Sequence, residues 1–184
     1  RRGGEAVKEQ VFGPRRSRAS RKPLIQCPGV VFYRCHTCGS VYQRTGWNQT
    51  EPDISCCGSR MEPLAPVRPE VMGRCGTLSY KIVGGYNDNA VQVFFHMEEG
   101  HELEWLYLKT FTGGYIKYIG PGKRSPCVFA LADEDAFSYC DEDPCLECTF
   151  WCKRGFVVYG YVGGLGLVEM PLDQVSPYWQ SGAK

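Results

Sequence analysis

Residues 35–38 read Cys-His-Thr-Cys, and residues 56–61 read Cys-Cys-Gly-Ser-Arg-Met. The first two cysteines are two residues apart, and an adjacent pair follows after a gap of 17 residues. A Cys-x-x-Cys turn places two thiolates on one side of a tight knuckle, and a second pair across a hairpin completes a tetrahedron. Four thiolates in a tetrahedron suit zinc or a single iron. The spacing predicts one metal ion on Cys35, Cys38, Cys56 and Cys57.

The adjacent cysteines are the unusual part of this pattern. Because consecutive side chains point apart, we expect the second half of the tetrahedron to be opened and distorted, with Gly58 turning the chain away. Arginines close in sequence would offset the charge of −2 on a divalent metal held by four thiolates: Arg34, Arg44 and Arg60. The spacing is compatible with a zinc staple and with an iron that cycles between two oxidation states. A disulfide between the adjacent pair is a further alternative.

Length and composition set outer bounds on the fold. The chain has 184 residues, of which 43% are apolar, which allows one medium domain or two small ones with an ordinary core. No apolar run approaches the roughly 20 residues of a membrane-spanning helix. The 11 cysteines are many for a protein without metal, and their odd number leaves one over in a complete disulfide set.

Charge is spread unevenly along the chain. Residues 1–22 hold eight basic and two acidic residues, or +6, whereas the other 162 residues hold 13 basic and 18 acidic ones, or −5. We expect residues 1–28 to form an extended basic tail. A transit remnant for the mitochondrial matrix or plastid stroma fits this composition better than a secretory signal. The alternative is an arm that docks on an acidic partner, nucleic acid or an anionic membrane.

After a proline-rich linker at 63–69, short apolar runs alternate with Gly and Pro. Strands are predicted at 78–83, 90–95, 103–108, 115–119, 128–131, 156–162 and 165–170. This punctuation is typical of an antiparallel sandwich, and no long amphipathic helix is indicated. The predicted protein is therefore mostly β. Its predicted parts are the tail at 1–28, a metal module at 29–66, a β-sandwich at 70–172 and a C-terminal tail at 173–184.

The knuckle residues Tyr33 to Gly39, with the later Cys56 to Met61, resemble the desulforedoxin module of the desulfoferrodoxin family. That family has Cys-x-x-Cys-Gly followed by Cys-Cys-Gly-x-x-Met. The stretch from His96 to Trp105 is similar to the family's second signature, His-Pro-Met-x-x-x-His-x-Ile-x-Trp, but lacks the proline. The resemblance covers residues 30–172. It implies a rubredoxin-like or desulforedoxin-like knuckle that carries iron, followed by an immunoglobulin-like sandwich that acts as superoxide reductase.

The chain departs from the family in the ligands of the reductase iron. The resemblance implies four histidines and one axial cysteine, but the chain has only three histidines, and His36 lies inside the knuckle. The family's early histidine has no counterpart at 71–76, and its late Cys-x-x-His-Gly motif is replaced by Cys152-Lys-Arg-Gly. We expect that the usual centre cannot form. A centre rebuilt from His96, His101 and cysteines is the alternative.

A second group of cysteines lies in residues 140–152. Its four members could hold a second metal or an iron–sulfur cluster, form two disulfides, pair with other cysteines or stay free: Cys140, Cys145, Cys148 and Cys152. The surrounding stretch 133–147 has seven acidic residues and no basic one. It is either a solvated surface or a docking face for a basic partner.

These patterns favour a desulfoferrodoxin-like metal-binding protein without reductase activity. The favoured role is an accessory or structural subunit of a larger assembly, organellar, redox or energy-converting, reached through the tails and the acidic stretch. The alternatives are an electron-transfer protein with one iron on four cysteines and a superoxide reductase with a rebuilt centre. We do not expect nucleic acid as a partner.

Overall fold

The computed structural model describes residues 28–47, 50–83, 90–136, 153 and 155–172. The predicted tails, apart from residue 28, lie outside these residues. So does the second cysteine group: Cys140, Cys145, Cys148 and Cys152. In the part of the chain that is described, no helix is long and apolar enough to cross a membrane.

The N-terminal part is built from two small hairpins. Strand β1 (Val30–Arg34) pairs antiparallel with β2 (Val41–Thr45), and the two-residue strands β3 (Ser55–Cys56) and β4 (Ser59–Arg60) pair with each other. The first Cys-x-x-Cys turn connects β1 to β2. The cluster of buried residues within this part is small, Tyr33, Cys35 and Met61, and the buried Phe32 packs on the sandwich instead.

The rest of the described chain forms two antiparallel sheets, in the orders β11-β10-β7-β8 and β5-β6-β9. Their strands are β5 (Gly76–Val83), β6 (Ala90–Met97), β7 (Leu103–Lys109), β8 (Gly114–Tyr118), β9 (Cys127–Ala130), β10 (Phe156–Val162) and β11 (Gly166–Leu172). Short 3-10 helices lie at Pro69–Cys75 and Asp133–Ala136. All seven predicted strands are confirmed within two residues at their ends, and so is the mostly β fold class.

Alternation along β7 explains how one strand serves two hydrophobic clusters. Successive side chains of a strand point to opposite faces of its sheet. Leu106 and Leu108 enter the core between the two sheets, whereas Trp105 and Tyr107 lie on the opposite face. This outer face is therefore apolar as well, and it is covered by the N-terminal hairpins.

Phe32 of β1 is the centre of this contact. Its ring centroid lies 4.9 Å from that of Trp105, 5.2 Å from that of Tyr107 and 5.4 Å from that of Tyr159. Aromatic pairs at such distances contribute about 0.5–1.5 kcal/mol each beyond their buried area. The outer aromatic face thus holds β1 against β7 and β10.

Polar contacts fix the same arrangement. Gln43 of β2 donates a hydrogen bond from Nε2 to the Tyr107 hydroxyl at 3.0 Å. A Cβ atom at Gly114 would overlap the hydroxyl and ring carbon of Tyr107, so a residue without a side chain is needed there. Val67 forms a parallel bridge to Val168 and anchors the linker on β11.

Candidate metal centre

The four cysteines of the predicted site come together at one end of the hairpins. The sulfur atoms of Cys35, Cys38, Cys56 and Cys57 all lie within 4.8 Å of one another. The Cys38–Cys56 sulfur distance is 3.6 Å, and the Cys56–Cys57 distance is 3.9 Å. A tetrahedron with metal–sulfur bonds of about 2.3 Å has edges of about 3.8 Å. The donor set and its spacing therefore fit one zinc or iron ion.

The first half of the site is a backbone-bonded turn. Cys35 N donates to Ser40 O at 2.9 Å, and Gly39 N donates to Cys35 O at 2.9 Å. Gly39 has a φ of 73°, in the left-handed region that glycine adopts without strain. The turn buries Cys35 and leaves Cys38 exposed.

The adjacent cysteines are placed by a two-residue hairpin. Cys57 and Gly58 connect β3 to β4, and both have positive φ, 50° and 77°. Positive φ at both positions is the hallmark of a type I′ turn. The left-handed backbone swings the Cys57 side chain back towards Cys56. Our expectation of an opened and distorted second half was therefore wrong, because it assumed an extended backbone at Cys57.

Hydrogen bonds set the acidity of the first pair of thiols. The side chain and backbone of Ser40 lower the pKa of Cys38 to about 6, and its Oγ lies 3.1 Å from the Cys38 sulfur. The backbone N–H of Cys38 is the main cause that lowers the pKa of Cys35. At neutral pH and without metal, Cys38 is thus mainly a thiolate.

The second pair responds in the opposite direction. Hydrogen bonding with Cys38, and then with Cys56 and Cys35, raises the pKa of Cys57 to about 12. The Tyr42 hydroxyl, 3.7 Å from the Cys56 sulfur, acts to lower the pKa of Cys56, but bonds with Cys38 and Cys35 outweigh it and raise that pKa. Metal binding must therefore displace protons from this pair.

The three arginines expected to balance the cluster have other partners. Arg34 forms an ion pair with Glu104, and Arg60 Nε lies 3.7 Å from Asp53 Oδ1. Arg44 donates from Nη1 to the Thr50 carbonyl at 2.9 Å. The groups that bond to the sulfurs are instead backbone N–H groups, Ser40 and Tyr42.

The histidines take separate positions. His96 is exposed, with Nε2 3.4 Å from Glu98 Oε1, and His101 has Nδ1 3.2 Å from the Gly163 carbonyl oxygen. His36 is exposed on the knuckle. Among the residues that the structure describes, the four-cysteine cluster is the one group of three or more possible ligands close enough to hold a metal. A second site that includes Cys140, Cys145, Cys148 and Cys152 stays a prediction.

Gly155, at the end of the late motif, and His101 of the second signature lie near opposite ends of β7. Strand β10 runs antiparallel to β7, with Val162 opposite Leu103 and Val157 opposite Lys109. Gly155 precedes the first strand residue of β10, whereas His101 precedes β7. Six residue steps along a strand span about 20 Å. The described end of the late motif is thus remote from His101.

Sequence reasoning missed Ser40, Tyr42 and Glu104. Ser40 follows Cys38 by two residues, and that spacing is a usable signal for a hydroxyl beside a thiolate. Glu104 and Arg34 are 70 positions apart in the sequence, and no local pattern predicts such a pair.

Comparisons with known proteins agree with this architecture. No model of a known protein family matches the chain. A desulfoferrodoxin from Desulfarculus baarsii is 26% identical over 112 residues, which cover 59% of this chain and 87% of the relative. The superoxide reductase from Treponema pallidum has a similar fold, with a TM-score of 0.52 and 12% identity over 77% of this chain and 97% of that chain.

These likenesses confirm the resemblance that the motifs indicated. The chain is a mostly β, desulfoferrodoxin-like protein whose fold is that of a superoxide reductase. It carries, near its N-terminus, a cluster of four cysteines that could bind a metal ion.

Proposed function

We propose that this chain is an accessory subunit in which one metal ion on Cys35, Cys38, Cys56 and Cys57 fixes the N-terminal hairpins against the sandwich. The observation that carries the proposal is the position of Cys35 at the end of β1. Two preceding residues of that strand, Phe32 and Arg34, make the contacts with the sandwich. A metal that fixes Cys35 therefore also fixes this interface.

The size of the hairpin core supports a structural role for the metal. Three buried residues, one of them Cys35 itself, make up its own cluster. Such a small apolar core does not stabilise a module alone, so a staple is expected. When bound, a divalent ion ties the two cysteine pairs together and contributes free energy of folding directly.

The histidines support a role without superoxide reduction. Outside the knuckle only His96 and His101 remain for a centre that, in the family, needs four. His96 is exposed beside Glu98, and His101 is bonded to Gly163. A rebuilt centre would need ligands from residues 140–152 in addition.

Electron transfer by one iron on the same four cysteines is the second candidate. It is favoured by the exposure of Cys38 and Cys57, since an electron partner could approach the sulfur atoms directly. The two candidates share ligands and differ in the metal and in its need for a redox partner.

Metal content and the visible spectrum of the full-length protein separate the candidates. One zinc per chain without colour supports the staple, and one iron with thiolate-to-iron bands supports electron transfer. A Cys56→Ser variant should lose the metal in either case, whereas Cys127→Ser, at a buried cysteine of the sandwich, should keep it. Rapid consumption of superoxide by the native protein would overturn both.

A further inference from the structure

Strand β8 is an exposed edge of the four-stranded sheet. All five of its residues, Gly114–Tyr118, are exposed, and Tyr118 retains 73% of its accessible surface. Ile116 and Tyr115 retain 38% and 39%. Exposed apolar edge strands are templates for pairing with another chain, and proteins usually cover or blunt them.

Backbone bonds at the two ends of β8 show which groups point outward. Thr110 N donates to Gly113 O at 2.9 Å, and Ile119 N donates to Glu104 O at 2.8 Å. Antiparallel ladders alternate between bonded and non-bonded pairs. Odd-numbered residues of β8 therefore bond to β7. The even-numbered Ile116 and Tyr118 direct their N–H and C=O groups away from the sheet.

The neighbouring edge, β9, is blunted by Lys117. The Lys117 ammonium donates to the Val128 carbonyl at 2.6 Å and lies 5.2 Å from the centre of the Phe129 ring. This side chain extends from one sheet to the other, and its hydrogen bond engages a backbone carbonyl of β9. Among the described residues, no side chain is recorded that blunts the β8 edge in this way.

A cleft of about 660 Å³ adjoins the end of β8, between the knuckle and the loop after the strand. Its volume lies in the range of ligand pockets. Its apolar wall consists of Phe95, Met97, Leu103, Trp105, Tyr118 and Ile119. The cleft is thus suited to a large apolar side chain.

The charge around β8 is positive. Residues 105–132 contain four basic residues, Lys109, Lys117, Lys123 and Arg124, and no acidic one. The nearby Asp135 is buried, accepts a hydrogen bond from Thr112 and has the Lys153 ammonium 3.0 Å from its carbonyl oxygen. Glu102, Glu104 and Lys123 also line the cleft, and Glu104 is paired with Arg34. An acidic partner is therefore favoured along the strand.

We propose that β8 is the docking site for an extended, acidic segment of a partner protein, which adds as a fifth strand beside Ile116 and Tyr118. Main-chain hydrogen bonds to the edge would give affinity, and an apolar side chain of the segment would enter the cleft and give selectivity. The proposal rests on the accessory-subunit function, because it specifies how the subunit meets its neighbour.

A synthetic ten-residue peptide of alternating Val and Glu with a central Tyr tests the proposal on the full-length, metal-loaded protein. Amide resonances of Gly114, Ile116 and Tyr118 should shift on titration. Ile116→Pro removes an outward N–H without touching the ladder to β7, and should weaken binding about 10-fold or more. Ile116→Thr keeps the N–H and should weaken it less than about 3-fold.

Circular dichroism and metal content establish that both variants are folded. The resonance shifts of the wild-type protein test the proposal even if a variant does not fold. The proposal is overturned if shifts fall elsewhere, if a Lys-for-Glu peptide binds equally well, or if both variants bind like the wild type. If oligothymidylate binds more tightly than the acidic peptide, the edge binds nucleic acid instead. If the wild type is a dimer that Ile116→Pro dissociates, the edge binds a second copy of the chain instead. If the peptide does not bind to a metal-loaded sample, the docking proposal alone is overturned. If the native protein contains no metal, the proposed structural role of the metal is overturned.

Discussion

Arg34 and Glu104 form an ion pair that joins the strand before the first cysteine of the candidate metal site to β7 of the sandwich. The two residues are 70 positions apart. The Arg34 guanidinium also lies 4.5 Å from the centre of the Tyr161 ring on β10. One side chain thus meets two strands of the sandwich, and its neighbour in sequence belongs to the four-cysteine cluster.

Glu104→Gln should lower the free energy of unfolding by about 1 kcal/mol or less, because the pair is partly exposed and Arg34 keeps its contact with Tyr161. Chemical denaturation at low and high salt measures this, and the difference should shrink in 1 M salt. Asp53→Asn is the matched control. It removes a more exposed partner from Arg60 and should have no measurable effect. Equal losses in the two variants would contradict the role assigned to Arg34.

Removal of the metal with a chelator should loosen the hairpins and expose Trp105, which is 1% exposed in the structure. We expect a red shift of tryptophan emission and a loss of at least about 3 kcal/mol in stability, since the metal contributes folding free energy. Trp105→Phe serves to assign the shift among the four tryptophans, of which Trp47 is already 71% exposed and Trp151 and Trp179 lie outside the described residues. An unchanged emission spectrum in the metal-free protein would count against the staple.

Metal affinity should rise steeply with pH. The pKa values of Cys56 and Cys57 are raised, so at least two protons leave on binding near neutrality. Each released proton gives about a tenfold gain per pH unit, so affinity should rise about 100-fold per unit between pH 6 and 8. Competition titrations with Co²⁺ or Zn²⁺ against a chelator of known affinity measure this slope.

Ser40→Ala is expected to steepen that dependence. Ser40 lowers the pKa of Cys38 to about 6, so Cys38 is mainly a thiolate at pH 7. Without the hydroxyl, this pKa rises and Cys38 becomes a further thiol that must lose its proton. Affinity should therefore fall at pH 6.5 and approach that of the wild type at pH 9. A uniform loss at every pH would indicate a purely structural role for Ser40.

Gly114→Ala should destabilise the contact between the hairpins and the sandwich. The added methyl group would displace Tyr107 and break its hydrogen bond from Gln43, at a cost of about 1–3 kcal/mol. Thermal unfolding measures the loss. Gly113→Ala is the control, since a Cβ there meets no atom within 4 Å. Because the entropy of the unfolded chain alone makes Gly→Ala stabilising, an equal cost at Gly113 would indicate backbone strain in the turn and not displacement of Tyr107.

Local patterns predicted the strands and the grouping of four cysteines. Alternating apolar residues and Gly or Pro breaks are local signals, and so is a Cys-x-x-Cys turn. The turn at Cys57 could also have been recognised, because a residue followed by Gly between two short strands is typical of a type I′ hairpin. The expectation failed there because it treated adjacent cysteines as extended.

Contacts between distant segments were beyond such patterns. Phe32 reads as one more apolar strand residue, and nothing near it in sequence marks its contact with Trp105. The outward edge of β8 likewise depends on where the strand lies in the sheet order, which hydrophobic alternation does not encode.

Because β1 carries Phe32 and Arg34 and ends at Cys35, occupancy of the four sulfurs and docking of the hairpins are thermodynamically linked. If bound metal raises the equilibrium constant for docking by some factor, docking raises the affinity for the metal by the same factor. The hairpins separated from the sandwich would then bind the metal more weakly by the same factor. The sandwich would in this way act as an affinity regulator for a metal that it does not touch.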